Sequence, residues 1–232
     1  GGGIQVSNHA SADIRSNFVA HNEADAGAGV KVADNSTAFI IDNHIVSNTA
    51  AFGGGGIHVV TSAVTIAHNV VSWNVATGGA GLNLDGATGE VYANTVASNR
   101  VGEWGSGGMY IGDGSAFTVM NNIVVSNVGT VTSWHGDGIA VFGDATYVRL
   151  LNNTIAFNSA EGVQTGDAST VLIRNNIIAN NSGGIHDLTG EASVSIDHND
   201  VWDNGWANYV NVVTGTSDIS AVPLLVDPEN NN

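Results

Sequence analysis

Short runs of alternating apolar and polar residues recur along the chain at intervals of roughly 25 residues. The runs are only a few residues long and rich in β-branched residues, as in Val30-Lys31-Val32 and Leu82-Asn83-Leu84. This alternation is typical of β-strands, and no window has the sustained 3.6-residue periodicity of an amphipathic helix. The pattern therefore predicts an almost purely β protein.

A pair of asparagines, five residues apart, marks every repeat. The first members are Asn17, Asn43, Asn69, Asn94, Asn122, Asn153, Asn176 and Asn199, and the second members are Asn22, Asn48, Asn74, Asn99, Asn127, Asn158, Asn181 and Asn204. An apolar residue lies three before and two after each first asparagine, and a glycine followed by an apolar residue lies 13 to 15 residues before it. The chain is therefore an array of eight units.

Each unit is too short to bury an apolar face by itself. About three strands per unit, wound into a coil and stacked, solve this problem, because each strand then pairs in parallel with its equivalent about 4.8 Å away. Inward asparagines in such a stack can pass amide hydrogen bonds from coil to coil without the mutual repulsion of buried Asp. The prediction is an all-β parallel solenoid of about eight coils with an inward Asn ladder.

Because the same residue types recur at fixed positions of every unit, the chain resembles the right-handed parallel β-helix proteins. This is the architecture of pectate lyases and of many bacterial secreted and surface proteins. The resemblance covers residues 1 to about 204, and the segment 218–228 resembles the closing segment of such bacterial proteins. It implies a single-stranded right-handed parallel β-helix over residues 1–204, a C-terminal closing segment over 205–232, and an extracellular or cell-surface location. Because the chain enters its first repeat without a cap, we expect further coils or caps in a longer chain.

Composition narrows the partners. Five Lys and Arg against 21 Asp and Glu give a formal net charge of −16, which disfavours nucleic acid and anionic membrane surfaces as partners. No stretch is long and apolar enough to cross a bilayer. The chain has no Cys, so disulfides and thiol chemistry play no part.

The repeat varies in length almost only between the second asparagine and the next glycine, so the loops are expected to leave the coil at one corner. The two longest loops are consecutive; one carries Glu103 and Trp104, and the other carries Trp134, His135 and Asp137. Trp rings suit the apolar faces of sugars, and carboxylates suit their hydroxyls, so we predict that Trp104, Trp134, Glu103 and Asp137 bind a glycan. The alternative is that the Trp rings only cover the corner of a thin core.

The residue two after each glycine forms an outward column beside this corner. Its members are Gln5, Lys31, His58, Asn83, Tyr110, Ala140, Gln164 and His186. The resemblance implies that a polysaccharide groove runs along such a sheet, which adds Tyr110 to the predicted ligand-binding residues. The alternative is a polar face in contact with solvent.

Catalysis has weaker support. The resemblance implies that lyases of this architecture use Ca²⁺ with Lys and Arg, and that the hydrolases use clustered Asp in short motifs. The basic residues here are scattered, and none of those motifs is intact. The best candidates for acid/base catalysis are Glu103, Asp137 and His135.

Asp residues recur in the turn after the strand that follows the glycine. A Ca²⁺ ion between Asp85, Asp113, Asp144 and Asp167 on neighbouring coils would relieve their repulsion, whereas Asx-turns explain the same residues without a metal. The eight His residues have no ligand spacing, so zinc is not expected. Ca²⁺ is the one cofactor that the pattern suggests.

Two functions remain open. The first is an extracellular structural or adhesive rod with a carbohydrate-binding loop corner. The second is a polysaccharide-degrading enzyme, a lyase or a glycoside hydrolase, with part of its site outside this chain. The regular repeat and the scarcity of basic residues favour the first.

Overall fold

The computed structural model describes residues 1–129 and 136–225, apart from the side chains of Glu103 and Trp104. In this part of the chain all 29 elements are β-strands, and every strand pair is parallel. No described segment forms a helix able to span a membrane. The predicted all-β parallel solenoid is confirmed.

Two of the four sheets contain the longer strands. Sheet A contains β1 (Ile4–Val6), β5 (Val30–Val32), β9 (Ile57–Val60), β13 (Leu82–Asp85), β17 (Met109–Gly112), β20 (Ile139–Val141), β23 (Glu161–Thr165), β26 (Gly183–Asp187) and β29 (Tyr209–Val210). Sheet B contains β2 (Ser11–Arg15), β6 (Thr37–Ile41), β10 (Ala63–Ala67), β14 (Thr88–Tyr92), β18 (Ala116–Met120), β21 (Tyr147–Leu151), β24 (Thr170–Arg174) and β27 (Ser193–Asp197).

The other two sheets complete the coil. Sheet C contains β3 (Phe18–Ala20), β7 (His44–Val46), β11 (Val70–Ser72), β15 (Thr95–Ala97), β19 (Ile123–Val125), β22 (Thr154–Ala156), β25 (Ile177–Ala179) and β28 (Asp200–Trp202). Sheet D contains β4 (Glu23–Ala24), β8 (Thr49–Ala50), β12 (Val75–Gly78) and β16 (Arg100–Trp104).

Sheet D is the main difference from the predicted three strands per unit. The segments after the second asparagine, predicted as loops, pair with one another in the first four coils. The Thr49 N–H donates to the Asn22 carbonyl at 2.9 Å, and the Val75 N–H donates to the Asn48 carbonyl at 2.9 Å. Once the other three sides stack in register, the fourth backbone also lies beside its equivalent, and pairing satisfies its polar groups.

The core consists of columns of apolar residues that point inward from sheets A, B and C. Examples are Leu82 and Met109 in sheet A, Ile66 in sheet B, and Ile45 and Ile155 in sheet C. All five side chains are fully buried. Because every coil contributes the same positions, the alternation in the sequence maps directly onto this core.

Both members of each asparagine pair form a ladder. Asn122 Nδ2 donates to Asn153 Oδ1 at 3.0 Å and to the Val91 carbonyl of the preceding coil at 2.9 Å. The Asn122 backbone N–H also donates to Asn153 Oδ1, at 3.0 Å. The ladder is buried from Asn43 onward, and only Asn17, on the first coil, is exposed. The predicted Asn ladder is confirmed.

The residue before each ladder asparagine adopts a left-handed conformation, although none of these residues is glycine. Ser98 and Asn121, for example, both have a φ of 56°. This conformation costs roughly 1–2 kcal/mol for an ordinary residue. The ladder hydrogen bonds hold the backbone in these sharp corners.

The segment after Asn204 stays against the solenoid. β29 extends sheet A by one strand, and Ile219 forms a parallel bridge with Asp200 at the end of sheet C. Asp218 Oδ1 accepts the hydrogen bond from Asn199 Nδ2 at 3.2 Å and so ends the first ladder. The predicted division at residue 204 stays a prediction, and residues 226–232 of the closing segment lie outside the described residues.

Candidate functional site

The predicted loop corner is described only in part. Trp134 and His135 lie outside the described residues. Glu103 and Trp104 belong to β16, but their side chains also lie outside the described part. The acid/base set of Glu103, His135 and Asp137, and the glycan contacts of the two Trp residues, therefore stay predictions.

Asp137 is the described member of this corner, and its side chain is buried, with the residue only 1% exposed. Its Oδ2 accepts a hydrogen bond from the Ser159 hydroxyl at 2.6 Å, and its Oδ1 has no partner among the described residues. Burial raises the pKa of Asp137 to about 6; the charge of Glu161 adds to the increase, and hydrogen bonds from Ser159 and the backbone of Gly129 and Gly107 oppose it. The Asp137 carboxyl group therefore binds a proton at a higher pH than the carboxyl group of an exposed Asp does.

A second polar network, which the repeat pattern does not predict, continues along the axis from Asp137. Glu161 Oε1 lies 3.4 Å from His186 Nδ1, and both side chains are largely buried. The indole of Trp206 is edge-on to the His186 ring, with 5.5 Å between ring centroids. His186 belongs to the predicted outward column. Glu161 is the first residue of β23 and Trp206 lies in a bend after Asn204, and the repeat specifies the direction of neither side chain.

The outward column itself runs along the outer face of sheet A, as predicted. Strand register places its members side by side in the order Lys31, His58, Asn83, Tyr110, Ala140, Gln164 and His186.

This row is more recessed than a simple solvent face. His58 and Asn83 are each only 8% exposed, and Gln164 is 3% exposed. The glycine-rich segments before the strands pack beside these side chains: a Cβ on Gly53 would lie 2.6 Å from Asn83 Nδ2, and a Cβ on Gly54 would lie 2.4 Å from His58 Cβ. The row is therefore bordered by backbone on one side.

His58, Asn83 and Asp85 form a hydrogen-bonded group in this row. Asp85 Oδ2 lies 3.1 Å from His58 Nε2 and accepts a hydrogen bond from Asn83 Nδ2 at 2.8 Å. Because a carboxylate can only accept, Nε2 of His58 carries a proton. His58 Nδ1 is buried and has no hydrogen-bond partner in the described part of the chain. These contacts fix the three side chains relative to one another.

Tyr110 supplies an aromatic surface next to this group. Its ring lies over Gly112, where a Cβ would be 2.8 Å from Tyr110 Cε1 and 2.9 Å from Oη. Burial, together with the negative charges of Asp85, Asp113 and Asp167, raises the pKa of the Tyr110 phenol to about 12. Tyr110 is therefore a neutral hydrogen-bonding group, half-buried in an acidic environment.

The turn Asp residues do not converge on a metal site. Asp85 faces His58 and Asn83. Asp167 Oδ2 accepts the Gly143 N–H at 3.0 Å, and Asp144 Oδ1 lies 3.4 Å from the Ala168 nitrogen. Within residues 1–129 and 136–225, no three His, Asp or Glu side chains are placed to hold a metal ion. Both backbone contacts reach a neighbouring coil and are therefore not Asx-turns within one turn. Ca²⁺ binding at Asp85, Asp113, Asp144 and Asp167 stays an untested prediction.

Comparison with known proteins identifies the family. A family model described as the right-handed β-helix region matches residues 55–222, which is well over half of the chain. No curated protein and no solved structure matches the chain. The matched region contains the polar row from His58 to His186 and six of the eight repeats. The match and the parallel stacked coils together show that the chain belongs to the right-handed β-helix family.

Proposed function

We propose that the chain is the carbohydrate-binding part of an extracellular structural or adhesive β-helix in a bacterium, and that a neutral glycan lies along the outer face of sheet A. The observation that carries the proposal is the row of imidazole, amide and phenol groups on this face. Its members from the third coil onward are His58, Asn83, Tyr110, Gln164 and His186, interrupted only by Ala140.

The chemistry of the row suits a sugar. Sugar hydroxyls both donate and accept hydrogen bonds, and the row offers both kinds of partner, with carboxylates at Asp85 and Glu161 as acceptors. The Tyr110 ring offers an apolar surface for one face of a pyranose. The groups are held by one another and by adjacent backbone, so little conformational entropy is lost on binding.

The negative charge of the chain favours neutral glycans over anionic ones. The formal net charge of −16 disfavours polyuronates and other polyanions. In the outward column, Lys31 is the only basic residue, and it lies at the edge of the row on the second coil. A neutral polysaccharide or oligosaccharide is therefore the ligand class that we propose.

In the sequence, Trp104 precedes strand β17 and Trp134 precedes strand β20, and both strands belong to sheet A. We retain both Trp residues as part of the proposed site, where their rings would add stacking surface to that of Tyr110.

The second candidate is a polysaccharide-degrading enzyme, and one observation favours it. A general acid needs a pKa near the working pH, and burial raises the pKa of Asp137 to about 6, close to that range. The carboxyl group is nevertheless enclosed, with Ser159 on one oxygen. We therefore favour glycan binding over catalysis as the function of this chain.

A glycan array with the recombinant protein, followed by titration of any retained oligosaccharide, tests the proposal. Asp85→Asn keeps the shape of the side chain but removes its negative charge and one of its two acceptor oxygens, so affinity should fall about tenfold or more. Glu90→Gln makes the same charge change on the exposed outer face of sheet B and should leave affinity unchanged. Absence of any retained glycan, or equal loss in both variants, would refute binding on sheet A.

Two further measurements separate the alternatives. Trp104→Ala and Trp134→Ala should each weaken glycan retention while the melting temperature stays within a few degrees; a large drop in melting temperature with unchanged retention would identify the rings as corner packing. Reducing-sugar and unsaturated-product assays on the same glycans should show no turnover. Product release that disappears in Asp137→Asn would instead establish an enzyme.

A further inference from the structure

We propose that the outer face of sheet C is a contact surface for a second copy of this chain, so that the protein forms a reversible face-to-face dimer. The inference is independent of glycan binding, because sheet C faces away on a different side of the coil.

The outer face of sheet C is uncharged over the first seven coils. Its outward positions are Phe18, Ala20, His44, Val46, Val70, Ser72, Thr95, Ala97, Ile123, Val125, Thr154, Ala156, Ile177 and Ala179. None is Asp, Glu, Lys or Arg, although the chain carries 26 such residues. A surface of this kind on a highly charged protein needs an explanation.

Large apolar side chains are exposed on this face and along its border. Phe18 is 73% exposed and Ile123 is 45% exposed. Trp73 and Phe157 occupy the turn that borders sheet C and are 66% and 43% exposed. These side chains lie in contact with water unless another surface covers them.

The outer face of sheet B makes an internal comparison. It has the same parallel construction, and five of its residues illustrate its charges: Asp13, Arg15, Glu90, Arg149 and Asp197. The absence of charge on sheet C is therefore not a general property of the outward positions in this solenoid.

A second copy fits the shape and size of the face. The face is about 30 Å long, because seven coils are spaced by about 4.8 Å. It is about 15 Å wide, the span of three strand residues and one turn residue, so its area is on the order of 500 Å². Two such faces bury about 1,000 Å² in total, which is the lower limit for a specific interface and indicates a reversible dimer. The two faces have the same spacing between strands. A two-fold axis through the centre of the interface therefore places each coil of one copy opposite a coil of the other.

Charge favours the same occupant. Two copies that each carry a formal net charge of −16 repel each other where their charged faces meet. The uncharged face of sheet C is where they can come into contact. A glycan would find few hydroxyl partners here, since Ser72, Thr95 and Thr154 are the only hydroxyl groups among the outward positions of these coils. Apolar contact between copies is the interaction that the face offers.

Sedimentation equilibrium from micromolar to near-millimolar concentration tests the dimer. The unmodified protein should show a concentration-dependent monomer–dimer equilibrium that strengthens with added salt, because screening reduces the repulsion between like charges. Ile123→Asp should weaken association by about tenfold or more, since the two-fold axis buries the new charge twice. Phe39→Asp places the same charge at a residue of sheet B with matching exposure, 43% against 45%, and should have no effect.

Cross-linking gives a second measurement that does not depend on adding a charge. The chain has no Cys, so Thr95→Cys introduces a single thiol near the centre of the face. A short bis-maleimide should convert this variant to a covalent dimer, whereas Thr65→Cys, at an outward and similarly half-buried position of sheet B, should stay monomeric. A monomer at all concentrations, or a dimer unaffected by Ile123→Asp, would overturn the proposal.

Discussion

The ladder asparagines supply, one residue at a time, the hydrogen bonds that the turns need. Asn99 Nδ2 donates to Asn127 Oδ1 at 3.0 Å and to the Val71 carbonyl at 2.9 Å, while Asn99 Oδ1 accepts from Asn74 Nδ2 at 3.0 Å. A Ser side chain is too short to reach both neighbouring coils, and an Asp cannot donate. The recurrence of Asn in the sequence therefore predicted both the position of the residue and its role.

Asn122→Ala should lower the free energy of unfolding by about 1–3 kcal/mol, because buried neighbours on both sides lose a partner. Asn17→Ala should cost less, since Asn17 is exposed and is bonded to only one neighbouring rung, Asn43. Chemical denaturation of the two variants checks the difference. Equal losses would contradict a ladder whose strength depends on burial.

Asp137 makes stability depend on pH. Its pKa of about 6 in the folded protein lies above the value of about 3.9 for an unfolded Asp, so the folded state binds the proton more tightly. Between these two pKa values the unfolded state carries fewer protons, and this group therefore reduces stability as pH rises from about 4 to about 6.

Asp137→Asn removes this penalty while keeping an oxygen that can face Ser159. We expect the variant to be more stable than the parent by about 1–3 kcal/mol at pH 8, with the gain vanishing near pH 4. Denaturation across this pH range checks the sign, and Glu191→Gln, at an exposed position, serves as the control. A variant that is less stable than the parent at pH 8 would show that the ionised carboxylate is needed.

At the scale of strands, the repeat glycine, which lies just before or near the start of the sheet A strands from β1 to β26, permits the coils to stack. A Cβ on Gly108 would lie 2.3 Å from the Gly138 carbonyl oxygen of the next coil, and a Cβ on Gly81 would lie 2.4 Å from the Gly108 carbonyl oxygen. These contacts are shorter than any side chain tolerates, and the obstacle is backbone, which cannot rotate away. The glycine column of the sequence is thus a packing requirement of the parallel stack.

Gly108→Ala should therefore destabilise the protein by about 1–3 kcal/mol or more through overpacking. Gly102→Ala is the matched control, because Gly102 also lies in a strand and a Cβ there would meet its nearest atom at 3.4 Å, an ordinary contact. Thermal melts of the two variants give the comparison. A Gly108→Ala protein as stable as Gly102→Ala would mean that the coils are more loosely stacked than described.

The fold was predictable from the sequence because the inward columns repeat one class of residue at fixed positions of the unit. Inward apolar positions, the ladder and the outward row of sheet A all follow from position within the unit. Sheet D was not predictable, since its segments vary in length and have no fixed pattern. The contact between Glu161 and His186 was also missed. It joins the first residue of β23 to a residue of β26 in the next coil that is not its strand partner, and only side-chain direction brings the two together.

At the scale of the whole molecule, the coils set the length of the proposed binding face. The row from His58 to His186 crosses five coil steps, or about 24 Å. An oligosaccharide that lies along the axis should therefore gain affinity with each added sugar until it spans this distance, and little beyond it. A ligand that binds across the axis would reach full affinity with the shortest oligosaccharides.

Titration of a retained oligosaccharide against the unmodified protein, Tyr110→Ala and Phe39→Ala is the most direct test of glycan binding on sheet A. Both substitutions remove one aromatic ring from an outward strand position, but only Tyr110 lies in the proposed row. We predict that Tyr110→Ala weakens binding by about tenfold or more, whereas Phe39→Ala binds as the parent does. Equal affinities for all three proteins would contradict the assignment of sheet A as the glycan-binding face.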